Sequence, residues 1–130
     1  MNIIVQGDID CRFMRPVSVN AMYAGTYGRR RTLTKAAREW KEYVAEVVAY
    51  ELGQGRIRCK GKPVEFGIML RFTFPDDWRK RDASNYDKAI LDSLSGVVWE
   101  DDSQVVVTHL PKPEKGEGWN VYIKIWEAKE

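Results

Sequence analysis

The sequence is poor in the features that mark several common protein classes. Its two cysteines, Cys11 and Cys59, are far apart and belong to no CxxC motif, so we expect neither a zinc site nor a structural disulfide. No apolar run approaches the roughly 20 residues that a membrane-spanning helix needs. The first residues, MNIIV, lack the basic stretch and long apolar core of a signal peptide. We therefore expect a cytoplasmic protein without membrane association.

Motifs of three large enzyme classes are missing as well. The sequence has no glycine-rich phosphate loop, no G-x-S-x-G and no H-E-x-x-H. These absences argue against nucleoside triphosphate hydrolysis, serine hydrolysis and zinc proteolysis. No nucleotide cofactor is expected.

Charge is nearly balanced in total, at +2, but it is unevenly distributed. Residues 12–41 carry eight basic side chains against one acid, Glu39, whereas residues 76–102 carry eight acids against four bases. A basic arm beside an acidic cluster is typical of a protein that holds a polyanion together with a metal ion. The alternative is two solvated faces of opposite sign.

The hydrophobic pattern predicts one α+β domain over residues 1–130. Apolar residues at three-to-four spacing indicate helices over 34–52 and 84–95, and alternation over 64–74 indicates a strand covered on one face. Further strands are expected over 1–9, 104–110 and 119–126, the last two as a hairpin, and residues 12–31 are expected to form a basic loop or arm. The order β-α-β-α-β-β implies a four-stranded mixed sheet with two helices packed on it.

Acidic residues precede two of these elements. Asp82 lies just before the second helix, and Asp101 and Asp102 lie just before the following strand. We expect the start of the helix and the start of the strand to pack side by side, so that the carboxylates converge on one Mg²⁺ ion. Mg²⁺ takes oxygen ligands. Lys88, one turn inside the helix, is then placed to offset charge that develops on a phosphate.

Each of these residues also has a purely structural interpretation. Ser84 and Asp87 fit a capping box at the start of the helix. Lys88 and Asp92 have the spacing of a surface ion pair. A turn before a strand would also account for the acidic doublet, Asp101 and Asp102. His109, among valines, is expected to be a surface or packed side chain.

Four segments in order resemble the RusA family of Holliday junction resolvases. Residues 15–23, RPVSVNAMY, resemble the family's Pro-Ser-x-Asn-x-x-Tyr segment, and the helix that contains Trp40 follows. Residues 79–88, RKRDASNYDK, resemble the basic stretch that leads into Asp-x-Asp-Asn-x-x-Lys, and residues 96–105, GVVWEDDSQV, resemble Trp-x-Asp-Asp-x-Gln-Val. The resemblance implies a homodimeric endodeoxyribonuclease of phage or prophage type, dependent on Mg²⁺ or Mn²⁺, that cleaves four-way junctions in recombination and repair.

Carried over by position, the resemblance makes Asp82 and Asp102 metal ligands, Asp101 an accessory carboxylate and Lys88 the catalytic lysine. Ser84 stands where the family has an aspartate, so the missing ligand is expected from Asp87 or from a water held by Ser84. Contacts to DNA are expected from residues in the arm and around the second helix, namely Arg15, Asn20, Arg29, Arg30, Arg31, Arg79, Lys80, Arg81 and Asn85. Two other functions stay open, a weak or inactive protein that binds branched DNA and a nuclease for flaps or single strands.

Overall fold

The computed structural model describes residues 2–24, 32–53 and 64–128. In chain order its strands are β1 (Asn2–Asp10), β2 (Tyr23–Ala24), β3 (Thr32–Leu33), β4 (Phe66–Phe74), β5 (Val105–His109), β6 (Glu114–Lys115) and β7 (Asn120–Glu127). Its helices are α1 (Lys35–Glu46), which continues as a π-helical segment over Val47–Leu52, and α2 (Asp87–Leu94). The α+β class and the order of the main elements are therefore confirmed.

The main sheet has five strands in the described part of the chain, one more than predicted. Its order is β1-β7-β4-β5, and the short β6 pairs with the far end of β4. β4 runs parallel to β5 and antiparallel to β7, so it lies between the two strands that were predicted to form a hairpin. The hairpin prediction is wrong because alternation identifies a strand and its buried face but not its neighbour.

One hydrophobic core joins the helices to the sheet. The inward side chains of β4 are buried from Phe66 to Phe74, and Trp40 of α1 is fully buried among them. α2 contributes Ile90 and Leu94, and the two helices contact each other. Burying apolar side chains of this size stabilises the fold by roughly 1.5–3 kcal/mol for each one.

The connection β4-α2-β5 determines where the acidic residues lie. Tyr86, at the start of α2, packs against Phe72 and Phe74 with ring centroids 5.8 and 5.3 Å away. Trp99, after the end of α2, packs against Phe66 at 5.7 Å. Phe66 and Phe72 are six positions apart along the strand, a span of about 20 Å. The start and the end of α2 therefore lie at opposite ends of β4.

The predicted arm over residues 12–31 is more ordered than a loop in the part that is described. Val19–Ala21 form a 3-10 turn, and β2 pairs with β3 in a short antiparallel ribbon. Thr34 joins the arm to α1, since its backbone N–H donates to the carbonyl of Met22 at 2.9 Å and its hydroxyl donates to that of Ala21 at 2.9 Å. Arg29, Arg30 and Arg31 lie outside the described residues.

Within residues 2–24, 32–53 and 64–128, no helix is both long and apolar enough to cross a bilayer.

Candidate active site

Asp82 caps a 3-10 turn that leads into α2. The turn covers Ala83–Asn85, and the Asp82 carboxylate accepts the backbone N–H of Ser84 at 3.2 Å. Ser84 is therefore not the cap, and α2 begins at Asp87 with no side-chain cap of its own. The predicted capping box at Ser84 is wrong, because the 3-10 turn moves the first α-helical residue three positions along the chain.

Asp87 interacts electrostatically with Asp82. Its carboxyl group is partly buried at the start of α2, and this burial raises the pKa of Asp87. The negative charge of Asp82 adds to the rise, whereas hydrogen bonds from the backbone of Asp87 and Lys88 oppose it. A cation close to these two carboxylates would stabilise their negative charges. Of the alternatives for the missing ligand, Asp87 is thus close enough to Asp82 for their charges to interact.

Lys88 forms the surface ion pair that its spacing allowed. Its Nζ lies 3.8 Å from a carboxylate oxygen of Asp92, and about half of the lysine side chain (51%) is exposed. A pair of this kind is worth about 0.3–0.5 kcal/mol. Such a weak restraint leaves the ammonium group free to contact a phosphate.

Asp101 and Asp102 form a rigid turn before β5. Asp101 accepts the N–H of Ser103 at 3.1 Å and belongs to a capping box with Gln104. Hydrogen bonds from Ser103 lower the pKa of Asp101, so this carboxyl group stays ionised. The amide nitrogen of Gln104 donates to the carbonyl of Val64 at 2.9 Å, which ties the turn to the sheet. The turn interpretation of the doublet is correct, and the carboxylate of Asp102 is exposed beside it.

The structure does not bring Asp82 together with the doublet of Asp101 and Asp102 in one chain. Asp82 lies near the Phe74 end of β4, and the doublet lies near the Phe66 end, about 20 Å away on the strand spacing. In the described ranges, no group of three His, Cys, Asp or Glu side chains is placed to hold one metal ion. The expected convergence within one chain is not observed.

A basic groove surrounds Asp82. It has a volume of about 830 Å³ and is lined by Trp78 to Ser84 on one side and by Leu110 to Pro113 on the other. Arg79 lies over the ring of Trp78 at 5.1 Å, and both Arg79 and Lys80 are exposed. The basic side chains of this groove suit a phosphodiester backbone.

The side chain of Arg81 is held by contacts within the protein, whereas an arginine that binds DNA phosphates is usually exposed. It donates to the Tyr86 hydroxyl at 2.8 Å, and its guanidinium lies 5.5 Å from the Phe74 ring centroid and 4.6 Å from that of Trp119. Its Nε is buried without a hydrogen-bond partner. Arg81 thus fixes the start of α2 more than it reaches solvent.

Of the other predicted DNA contacts, Arg15 lines a neighbouring groove. Arg15 is exposed and lies over the ring of Trp119 at 5.2 Å, next to Arg81. Asn20 and Asn85 are exposed. Trp119 was not predicted as a site residue, although an aromatic residue directly before the last strand is a signal that could have suggested it.

An exposed carboxylate in an open groove of arginine and lysine fits one class of protein, the nucleases that bind a phosphodiester through basic side chains. The comparison with family models agrees with that class, since the model described as endodeoxyribonuclease RusA matches residues 14–126. The chain therefore belongs to the RusA family of endodeoxyribonucleases, and it is an enzyme of the crossover junction resolvase type. A search of curated proteins returned no match.

Proposed function

We propose that this protein is a homodimeric, Mg²⁺-dependent endonuclease that resolves four-way DNA junctions in recombination and repair. The observation that carries the proposal is the basic groove around Asp82, within a chain that belongs to the RusA family. Two-fold symmetry suits the substrate, because a junction is resolved by two symmetric nicks. Groups in the groove would bind the phosphates on both sides of the scissile bond.

The ligands for the metal would come from two chains. The acidic side chains have the oxygen donors that Mg²⁺ prefers, but the described residues of one chain do not place three of them together. We infer that Asp82, with Asp87 beside it, meets Asp101 and Asp102 of a second copy. Ser84 lies in the same groove and can hold a water in place of the family's aspartate. Mg²⁺ bound there would supply Lewis acidity toward a phosphoryl oxygen.

The remaining residues of the site bind and orient the DNA. Lys88 would leave its weak pair with Asp92 and donate to a phosphoryl oxygen as negative charge develops. Arg79 and Lys80 would hold flanking phosphates, as would Arg15, Asn20, Asn85 and Arg29 to Arg31. Because these contacts release counterions, binding should weaken steeply as salt is raised.

A protein that binds branched DNA but cleaves it weakly is the second candidate. Two observations favour it, namely Ser84 at a position where the family has a carboxylate and the location of Asp82 and the doublet at opposite ends of β4. This candidate predicts tight binding of junctions with little dependence on Mg²⁺.

The deciding experiment compares labelled four-way junction, flap, single strand and linear duplex, each with Mg²⁺, with Mn²⁺ and with EDTA. We expect metal-dependent, paired nicks in the junction. Asp82→Asn and Asp102→Asn should abolish nicking but leave junction binding intact, and Glu46→Gln, at an exposed site on α1, should behave as wild type. Calorimetry with Mg²⁺ alone should show weaker binding in both site variants. Preferential cleavage of flaps, or unchanged nicking in either variant, would refute the proposal.

A further inference from the structure

Trp78 lies in the turn that separates two grooves. One is the basic groove around Asp82. The other, which we call the side groove, has a volume of about 500 Å³ and is lined by Pro75 to Lys80 and by Lys115. The Trp78 side chain is partly buried, because it packs against the hydrophobic core, and it lines both grooves. A large aromatic ring therefore stands at the border between the two grooves.

The turn that carries Trp78 is held by its own backbone. The carbonyl of Asp77 accepts the N–H groups of Lys80 and Arg81 at 2.9 and 3.2 Å. Asp77 has a φ of 45°, in the left-handed region that Asp tolerates better than most other residues do. Conformations of this kind are common at sites that bind ligands. Here the conformation fixes the position of the next residue, Trp78.

The two grooves differ in charge. Arg79 and Lys80 are exposed and line both of them, so phosphates would be held at their common border. The side groove also contains the exposed residues Asp76 and Asp77. Their carboxylates repel a phosphate, but carboxylates accept hydrogen bonds from the N–H groups at the edge of a nucleobase. The side groove therefore suits a base better than a phosphodiester backbone.

We propose that Trp78 is a stacking platform for an unpaired nucleobase at the branch point, and that this contact selects branched DNA over duplex. The inference rests on the proposed function, because it requires the DNA strand to lie in the basic groove. Proteins that bind single strands combine a basic groove with aromatic rings on which bases stack. Taking a base out of its stack costs least where pairing is already interrupted, as it is at a branch point.

The contact between Arg79 and Trp78 is compatible with this role. The guanidinium lies 5.1 Å from the ring centroid, and a cation–π contact at an exposed site is weak. Arg79 can therefore turn to a phosphate and leave a ring face to the base. Trp119 is less suited to stacking, because its ring already contacts two guanidinium groups, those of Arg15 and Arg81.

A thermodynamic cycle that removes either the ring or the base tests the contact. Junctions with an abasic site at each nucleotide next to the branch point are titrated in EDTA with wild type and with Trp78→Leu. For wild type we expect one abasic position to weaken binding about tenfold. Trp78→Leu should bind the intact junction about tenfold more weakly and lose nothing further at that position, because both changes remove the same contact.

Three comparisons separate stacking from a general loss of structure. Trp78→Phe keeps an aromatic ring and should bind the junction within about twofold of wild type. Tyr50→Leu, at a 68% exposed site outside both grooves, should match wild type. Linear duplex should bind wild type and Trp78→Leu alike, since it offers no unpaired base. Equal weakening toward junction and duplex, or an abasic penalty that persists in Trp78→Leu, would overturn the proposal.

Photocrosslinking tests the contact in the unaltered chain, where no substitution can disturb folding. Junctions with 5-iododeoxyuridine at each nucleotide next to the branch point are bound, irradiated and digested with trypsin. We expect the crosslink in residues 72–79, FTFPDDWR, whose other aromatic side chains, Phe72 and Phe74, are buried. A crosslink only in residues 116–124, which contain Trp119, or no crosslink in 72–79, would contradict the proposal.

The base contact and the nuclease function fail separately. Metal-dependent cleavage of junctions that does not require an aromatic ring at Trp78 would leave the nuclease standing and reject the stacking platform. A crosslink to Trp78 in a protein that never cleaves would support the platform and reject the nuclease.

Discussion

A subunit-mixing experiment tests whether the active site is shared between two chains. Asp82→Asn and Asp102→Asn are purified separately, and each is expected to be inactive. In a mixed dimer, the chain with Asp82→Asn retains Asp102 and the other chain retains Asp82. If these two groups act across the interface, one site of the mixed dimer is intact and the other lacks both carboxylates.

The expected recovery follows from the symmetry of the dimer. Random exchange of equal amounts makes about half of the dimers mixed, and each holds one working site of two, so roughly a quarter of the wild-type sites return. A site contained in one chain would regain nothing, because each chain then carries a damaged site. The separation of Asp82 from Asp102 within one chain, about 20 Å along β4, leads us to expect recovery.

The assay is single-strand nicking of a labelled junction after the variants are mixed and allowed to exchange. Nicking is the suitable signal because a dimer with one intact site cuts one strand but cannot complete paired resolution. Refolding the mixture from denaturant gives full exchange if the native dimers exchange slowly. Activity that stays at the level of the single variants after refolding would refute the shared site.

Three further predictions concern metal affinity, the core and the buried thiol. Ser84→Asp adds a carboxylate beside Asp82 and should tighten Mg²⁺ binding in calorimetry, whereas Ser95→Asp, exposed at the end of α2, should not. Trp99→Ala removes a fully buried ring and should lower the free energy of unfolding by about 3–5 kcal/mol in urea titration. Cys11, with its pKa raised to about 12, should resist iodoacetamide at pH 8 until the protein is unfolded, as read by peptide mass spectrometry; rapid labelling of the folded protein would contradict its burial.

Much of the fold could be predicted because the spacing of apolar residues along the sequence indicates which side chains are buried. The alternation from Phe66 to Phe74 identified β4 to within two residues, and the spacing of apolar residues located both helices. What periodicity does not record is which strands are neighbours. Between β5 and β7 the chain crosses β4. The fifth strand, β6, has only two residues, too few to show an alternation of apolar and polar side chains.

The positions of the expected site residues along the chain do not give their positions in space. Asp82 and Asp102 do open their elements, but the start of a helix and the start of the next parallel strand lie at opposite ends of a β-α-β unit. Their separation is therefore a property of the topology. Arg81 shows the same limit, because only the fold reveals that Phe74 and Trp119 surround its guanidinium.

The side-chain amide of Gln104 both accepts and donates hydrogen bonds, and this affects how the acidic turn responds to a ligand. Its amide oxygen accepts the N–H groups of Glu100 and Asp101 at 2.9 and 3.1 Å, while its amide nitrogen is bonded to Val64. The loop is thus preorganised, since the conformational entropy of ordering it is lost when the chain folds and not when a cation arrives. A cation that binds this turn would therefore meet carboxylates that the fold already holds in place.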